Sequence, residues 1–343
     1  MTILVSSCLI TLFGLFNLLG IDKNYFYHQL IFLTIGLIIF FIIKRIGRNF
    51  FYINSKFFYW VLVFLLMVTF LIGLEAKGSK RWIELYFFNF QASETLKIFF
   101  IIFLADFFVL KDYAGENFSH FLISLFYLLL PALIIFKQPD LGNTLVYLVI
   151  YFAMLVFSPI PKKYIVYLLI TFIIAVPAFW LLLKEYQKAR ILSFFSPHLD
   201  PQGNSYNMIQ AMITVGSGKF FGKGLGLGTQ TKLLFLPENH TDFAFASLIE
   251  QFGFFGGLIT LTLYGLTIFF LFKRVFYYFF NKDRESQKRF LILIGFISYF
   301  VFQTFINIGM NFGLLPITGI TLPFISYGGS SLVALMISLA LIP

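Results

Sequence analysis

Charge is what this chain has least of. Lys, Arg, Asp and Glu supply 12% of its 343 residues, while 59% are hydrophobic. An average soluble domain carries about 25% charged residues, so a water-soluble fold of this composition would lack the polar surface to cover its core. The single cysteine, Cys8, lies in an apolar run, which excludes a disulfide framework and a cysteine-based metal centre. With 11 prolines and 25 glycines, the chain is neither collagen-like nor low-complexity. Its start has no basic n-region and no small-residue cleavage site, so it reads as a first membrane span and not as a signal peptide. No internal repeat is visible, and an inverted-repeat transporter gains no support from symmetry.

What is present is a series of apolar runs, at 2–20, 26–43, 55–74, 94–110, 118–136, 143–158, 163–183, 243–272, 290–310 and 322–342. A helix crosses a bilayer in about 20 residues, so ten crossings use about 200, close to the hydrophobic content. The sequence therefore predicts an all-α polytopic membrane protein of ten transmembrane helices, one domain over 1–343. Its large outer loop, 184–241, falls between helices 7 and 8.

The charge difference is 25 − 15 = +10, and membrane orientation accounts for most of it without nucleic acid. With the N-terminus inside, the inner loops hold thirteen basic residues: Lys44, Arg45, Arg48, Lys56, Lys111, Lys162, Lys163, Lys273, Arg274, Lys282, Arg284, Lys288 and Arg289. The short outer loops hold only Lys23 and Lys137. The rest are outside or at the outer rim. Lys77, Lys80 and Arg81 precede span 4 and Lys97 lies just within it, while Lys184, Lys188, Arg190, Lys219, Lys223 and Lys232 fall in the large loop. Lys184, Lys188 and Arg190 read as solvation of that loop. Lys80, Arg81, Lys97 and Lys223 have unusual neighbours and read as a site for an anion such as a phosphate or pyrophosphate.

Four segments carry the candidate chemistry. In the first, GSKRWI at 78–83 leads to FQASETLK at 90–97. Ser93 is placed to cap span 4, and Glu94 and Lys97 are three apart on one helical face. Lys97 either snorkels to the interface or faces a cavity, and the cost of a charge at that depth favours the cavity. Trp82 alone would be an interfacial anchor. The second, KQPDLGN at 137–143, reads as a turn in which Asp140 caps span 6, with polar lining of an outer cavity as the second reading.

The third segment, 216–230 after Gln210, is glycine-rich: GSGKFFGKGLGLGTQ. Such backbone can approach a ligand closely or can simply be flexible. It is not a Walker A loop, because Gly224 follows Lys223 where Ser or Thr is needed. FLPENHTDF at 235–243 follows it. Glu238, His240 and Asp242 fall within one turn before a long apolar run. Desolvation at a membrane rim raises a carboxylate pKa and suits Asp242 to general-base work, with His240 orienting a neighbour. Helix capping by Thr241 or Asp242 is the plainer alternative. In the fourth, Asn307, GLLPITG at 313–319 and LPFISYGGSS at 322–331 predict a broken last helix around a cavity, or close packing through small residues.

These stretches resemble the SEDS family, the RodA, FtsW and SpoVE group. GSKRWI, QASETLK, KQPDLGN, VGSGKFFGKGLGLGTQ, FLPENHTDFAF and LLPITGITLPFISYGGSS occur in family order between 78 and 331. GTQTKLLFLPE and QPDLG are most similar to RodA, the elongation branch. Ala92, Asn143 and Gln251 depart from the usual proline, threonine and second acid. The resemblance implies a peptidoglycan glycosyltransferase that polymerises lipid II at the outer face of the cytoplasmic membrane, for elongation and shape. Asp242 matches the family's required aspartate and becomes the expected base. Arg81, Trp82, Gln91, Glu94, Lys97, Lys223, Gln230, Glu238, His240 and Ser326 are the expected substrate contacts. A class B penicillin-binding transpeptidase is the implied partner, among membrane lipids. A divalent cation, Mg or Mn, is compatible with a pyrophosphate leaving group, and the metal requirement stays open. A lipid II flippase, a division polymerase of the FtsW type and an activating scaffold are the other readings.

Overall fold

The computed structural model describes residues 2–76, 79–85, 88–109, 118–196, 203, 205–281 and 283–343. Lys77, Gly78, Lys111 and Lys282 lie outside the described residues, as does the side chain of Arg190.

In lipid, an apolar run must satisfy every backbone N–H and C=O internally, and a helix does so. The first runs form α1 (Thr2–Ile21), α2 (Lys23–Ile46) and α4 (Ser55–Ile72), with the short α3 (Arg48–Ile53) between the last two. Asp22 caps α2 by accepting from the Asn24 N–H at 2.7 Å. Next come α5 (Ala92–Val109), α6 (Phe118–Lys137), α7 (Leu141–Phe157) and α8 (Lys163–Leu182). The segment expected as a loop holds α9 (Glu185–Phe195), α10 (Tyr206–Ser217) and α11 (Thr229–Lys232). The chain closes with α12 (Ala244–Phe279), α13 (Arg284–Asn311) and α14 (Gly329–Leu341).

Six of these helices, α1, α2, α4, α6, α12 and α13, are long and apolar enough to cross a membrane; α7, α8 and α14 include shorter apolar helices. Helix α5 is apolar too, but carries Glu94, Lys97 and Asp106 and is buried almost throughout. It packs against α4, α13, α14 and α7, so Glu94 and Lys97 meet protein and not lipid, while Asp106, its side chain 42% exposed, pairs with Lys288 at 2.7 Å. The surface is inverted relative to a soluble protein: Phe64, Ile173 and Phe305 are 66%, 68% and 65% exposed. Helix α8 is exposed along most of its length.

One expectation needs correction. The chain is not all-α: β1 (Leu74–Ala76), β2 (Ser79–Leu85) and β3 (Phe88–Phe90) form an antiparallel sheet in the order β1-β2-β3. The run around Trp82 and Ile83 is too short to span and pairs its backbone with neighbouring strands, Ile83 opposite Phe90. The last helix is broken, as its prolines and paired glycines predict. Residues 312–328 are irregular, and only from Gly329 does a helix form, because Pro316 and Pro323 cannot donate to a helical ladder.

Helix α12 is broken at Gly253, whose φ of 69° and ψ of −165° are non-helical. The break frees backbone groups that the glycine-rich segment satisfies. The Phe254 N–H donates to Lys219 O at 2.8 Å, and the N–H groups of Lys223 and Gly224 donate to Glu250 O and Gln251 O at 2.9 and 3.0 Å. The segment expected as either a flexible or a ligand-binding loop is thus a backbone clasp on α12. The approach leaves no room for side chains: a Cβ on Gly253 would lie 2.3 Å from the Gly222 nitrogen.

Candidate active site

The loop before α12 is held from both sides. Glu238 turns the chain with a φ of 55°, and its carbonyl accepts from the N–H groups of Thr241 and Phe243 at 3.2 and 3.1 Å. Its carboxylate accepts from the Thr241 hydroxyl at 3.0 Å. Asn307 and Asn311, one turn apart on α13, donate through Nδ2 to the Asp242 carbonyl at 3.0 and 3.2 Å. Asn311 Oδ1 also accepts the Ala246 N–H at 2.9 Å, satisfying an amide in the first turn of α12.

From the opposite side, Ser326 Oγ donates to Thr241 O at 2.6 Å and Tyr327 N–H to His240 O at 2.8 Å. Gln29 on α2 holds that last loop, donating to Ser326 O at 3.3 Å and accepting from the Gly328 N–H at 3.1 Å. The His240 ring stacks on Tyr25, centroids 4.2 Å apart. Asp242 is therefore presented, half-buried, from a backbone clamped by α13 and by the last loop, which α2 holds. Neither Thr241 nor Asp242 caps α12; the N-cap is Phe243, with no side-chain cap bond.

A second cluster surrounds the turn at 138–140. Arg81 donates to the carbonyls of Gln138, at 3.4 Å, and Pro139, and lies 3.7 Å from Asp140 Oδ2. Asp140 caps α7 as expected, accepting the Asn143 N–H at 3.1 Å, and also accepts from Gln91 at 3.4 Å. Ser330 Oγ accepts the Gln91 N–H at 2.9 Å, joining this cluster to the first turn of α14, which follows the loop that holds Thr241. Helix α5 begins at Ala92, so Ser93 is inside it and does not cap it. Lys97 does not snorkel: it is 2% exposed, its ammonium 2.7 Å from Glu94 Oε1 and 6.0 Å from the Tyr299 ring centroid. Lys80 is exposed and Trp82 half-buried.

The third cluster was expected to bind an anion and instead contains one. Glu250, 0% exposed, accepts from Lys223 Nζ at 2.9 Å, the N–H groups of Gln230 and Thr231 at 2.9 and 3.0 Å, the Thr231 hydroxyl, and Ser217 Oγ at 3.4 Å. Lys223 Nζ also donates to Thr229 Oγ1 at 2.7 Å. The cluster reaches the Asp242 loop through Asn239, which donates to Thr231 O at 3.0 Å. Gln251, at the departure from the family pattern, accepts the Gly226 N–H and donates to Asn17 Oδ1, at 3.1 and 2.7 Å. An amide makes both bonds, whereas a carboxylate only accepts.

The structure thus gathers Glu238, His240, Asp242 and Ser326 in one unit and Arg81, Gln91, Glu94 and Lys97 around the start of α5. It engages Lys223 and the Gln230 backbone with Glu250. Sequence reading passed over Gln29, Asn311, Asn17 and Glu250 as site residues. Polar side chains in apolar runs, Asn307 and Asn311 on one helical face above all, were the available signal. No group of three His, Cys, Asp or Glu side chains able to hold a metal occurs among the described residues.

Comparison with known proteins places this arrangement. The cell cycle protein family of FtsW, RodA and SpoVE matches residues 3–343. A probable peptidoglycan glycosyltransferase FtsW of Buchnera aphidicola subsp. Schizaphis graminum is 34% identical over 328 residues, covering 94% of this chain and 89% of that protein. The peptidoglycan glycosyltransferase MrdB of Helicobacter pylori is 35% identical over 319 residues, covering 90% and 80%. A chain from a structure described as "Structural coordination of polymerization and crosslinking by a peptidoglycan synthase complex" superposes with a TM-score of 0.82 at 28% identity, covering 99% of this chain and 95% of the other. The rod shape determining protein RodA of Thermus thermophilus superposes with a TM-score of 0.72 at 26% identity, covering 99% and 94%. With the six ordered motifs and the matching fold, the chain belongs to the FtsW, RodA and SpoVE family of cell cycle proteins.

Proposed function

We propose that this chain is a peptidoglycan glycosyltransferase that polymerises lipid II, with Asp242 as its general base. Ten elements cross the membrane in this reading: α1, α2, α4 to α8, α12, α13 and α14. The N-terminus is cytoplasmic and the Asp242 loop faces outward, as the basic inner loops favour. The observation that carries the chemistry is the clamp on Asp242. Fixing the backbone of a half-buried carboxylate from α13, α2 and the last loop removes the reorganisation a base would otherwise undergo.

Asp242 takes the proton of an acceptor sugar hydroxyl. The oxygen then bonds to the donor's anomeric carbon as the bond to undecaprenyl pyrophosphate breaks. One base and a single displacement give inversion, without a glycosyl-enzyme intermediate. Positive charge for the departing pyrophosphate comes from the 78–97 region, where Lys80 is exposed and Arg81 keeps 22% of its side chain accessible. Lys97 stands behind Glu94 as a buried support. A divalent cation at the pyrophosphate is compatible with this reading, and no step requires it. A class B transpeptidase partner is part of the proposal, supported by the likeness to a chain of a synthase complex. The elongation role rests on the motifs most similar to RodA, with division as the alternative.

The test is lipid II polymerisation by the purified protein with its transpeptidase partner, wild type against Asp242→Asn, read as a glycan ladder. Loss of the base is expected to slow the reaction by about 10²–10⁴-fold with the thermal midpoint unchanged. An undiminished ladder from Asp242→Asn sinks the base assignment. No ladder from partner-bound wild type, together with lipid II flux in vesicles, makes the protein a flippase.

A further inference from the structure

Helix α12 runs from the Asp242 loop to Phe279, and Lys273 and Arg274 lie about 30 Å of helix beyond its break at Gly253, at 1.5 Å per residue. Two adjoining cavities of about 590 and 450 Å³ open at that end, and Arg48 lines both. Lys273 and Arg274 line the first, Lys44 and Arg289 the second. Lys44, Arg48 and Arg274 are half-buried, and Lys44 is near enough to both arginines for the three charges to repel one another. The opposing groups are few. Glu285 pairs with Arg289 at 3.1 Å, and the Pro343 oxygen accepts from Arg274 Nη1 at 2.6 Å. Among the described residues no carboxylate pairs with Lys44 or Arg48.

Orientation by positive inner loops asks only that basic residues lie on one side, in water. It gives no reason to half-bury three like charges around shared cavities, where their repulsion is least screened. A bound anion supplies the reason. Two guanidinium groups suit the oxygens of a phosphate, which they engage through paired N–H donors. The rim is apolar, with Phe270 beside the first cavity and Ile46, 53% exposed, beside the second. We propose that these joined cavities bind a phosphate group, that of an anionic phospholipid whose acyl chains lie along the exposed apolar ends of α2 and α12. The site is independent of the glycosyltransferase reading.

The test uses the full-length protein in neutral detergent and fluorescent phosphatidylglycerol, with a phosphatidylcholine analogue as reference. Phosphatidylglycerol is expected to bind several-fold more tightly. Arg48→Gln with Arg274→Gln is expected to weaken it about 30-fold, at about fivefold per basic residue. Arg45→Gln with Lys56→Gln removes the same charge from exposed inner positions and is expected to leave affinity nearly unchanged. Lys44→Gln, which leaves the Arg274 contact intact, is expected to cost about fivefold and decides the matter if the arginine pair does not fold. Equal losses in both pairs would show only a diffuse positive field and overturn the site. Equal affinity for the two lipids would overturn it as well. Displacement by millimolar inorganic phosphate would assign the cavities to a soluble phosphate and overturn the lipid source.

Discussion

Glu250 offers the sharpest test of how the outer segment is held. Replacing it by alanine strands the N–H groups of Gln230 and Thr231, which donate to its carboxylate at 2.9 and 3.0 Å. Each buried amide left without an acceptor costs about 1–3 kcal/mol, so the two together cost about 2–6. Lys223 adds little, since its side chain is 28% exposed and its ammonium turns to water. The middle of that range is about 4 kcal/mol. Unfolding entropy of about 2.1 cal/mol/K per residue over 343 residues gives about 1.4 °C per kcal/mol. Glu250→Ala is thus expected to melt about 5–6 °C below wild type in detergent, followed by intrinsic fluorescence. Helices that persist in micelles lower the unfolding entropy, so this shift is a minimum. Glu250→Gln keeps one acceptor oxygen and is expected to lose about half as much. Lys223→Met leaves the amide donors in place but takes the cation from a carboxylate that is 0% exposed, and is expected to cost about as much as Glu250→Ala. The segment 218–236 is expected to become the first site of proteolysis in Glu250→Ala. A melting point within 1 °C of wild type, with unchanged proteolysis, would refute the reasoning.

Two further predictions separate packing from chemistry. Gly253→Ala puts a Cβ 2.3 Å from the Gly222 nitrogen at a backbone φ of 69° and is expected to destabilise by about 3 kcal/mol or more. Gly265→Ala, with nothing within 4 Å, is expected to match or exceed wild type in the same melt. Lys97→Met strands the Glu94 carboxylate and is expected to cost about 3–5 kcal/mol, most of it recovered in Lys97→Met with Glu94→Gln. If the double variant regains stability and still makes no glycan ladder, Lys97 serves the reaction. A restored ladder would make it a packing residue.

The legible and illegible parts of the site differ by range. Glu94 and Lys97 are three apart on one helix, and a three-residue spacing brings side chains together wherever the helix lies. Asp140 capping α7 and the irregular backbone around Pro316 and Pro323 were legible for the same reason. The Ser93 cap failed because the helix begins one residue earlier, at Ala92, with Gln91 held from outside it by Ser330, 239 positions on. Lys223 was read from its glycine neighbours as an anion binder. The structure supplies an internal anion 27 positions on, Glu250. The sheet at 74–90 escaped notice because its strands are shorter than the window that periodicity needs.

Composition alone determined the solvent of this protein, since a chain with so few charges can hide its backbone polar groups only in membrane-spanning helices. Local spacing and basic-residue placement determined helix positions and supported one orientation, and the ordered motifs pointed to the family. Only the tertiary structure decided which polar groups meet. It set Asn307 and Asn311 under Asp242, Gln29 against the last loop, and Lys223 on Glu250. Those pairings depend on which helices are neighbours, and in an apolar interior that is settled by shape and by the need of each buried polar group for a partner.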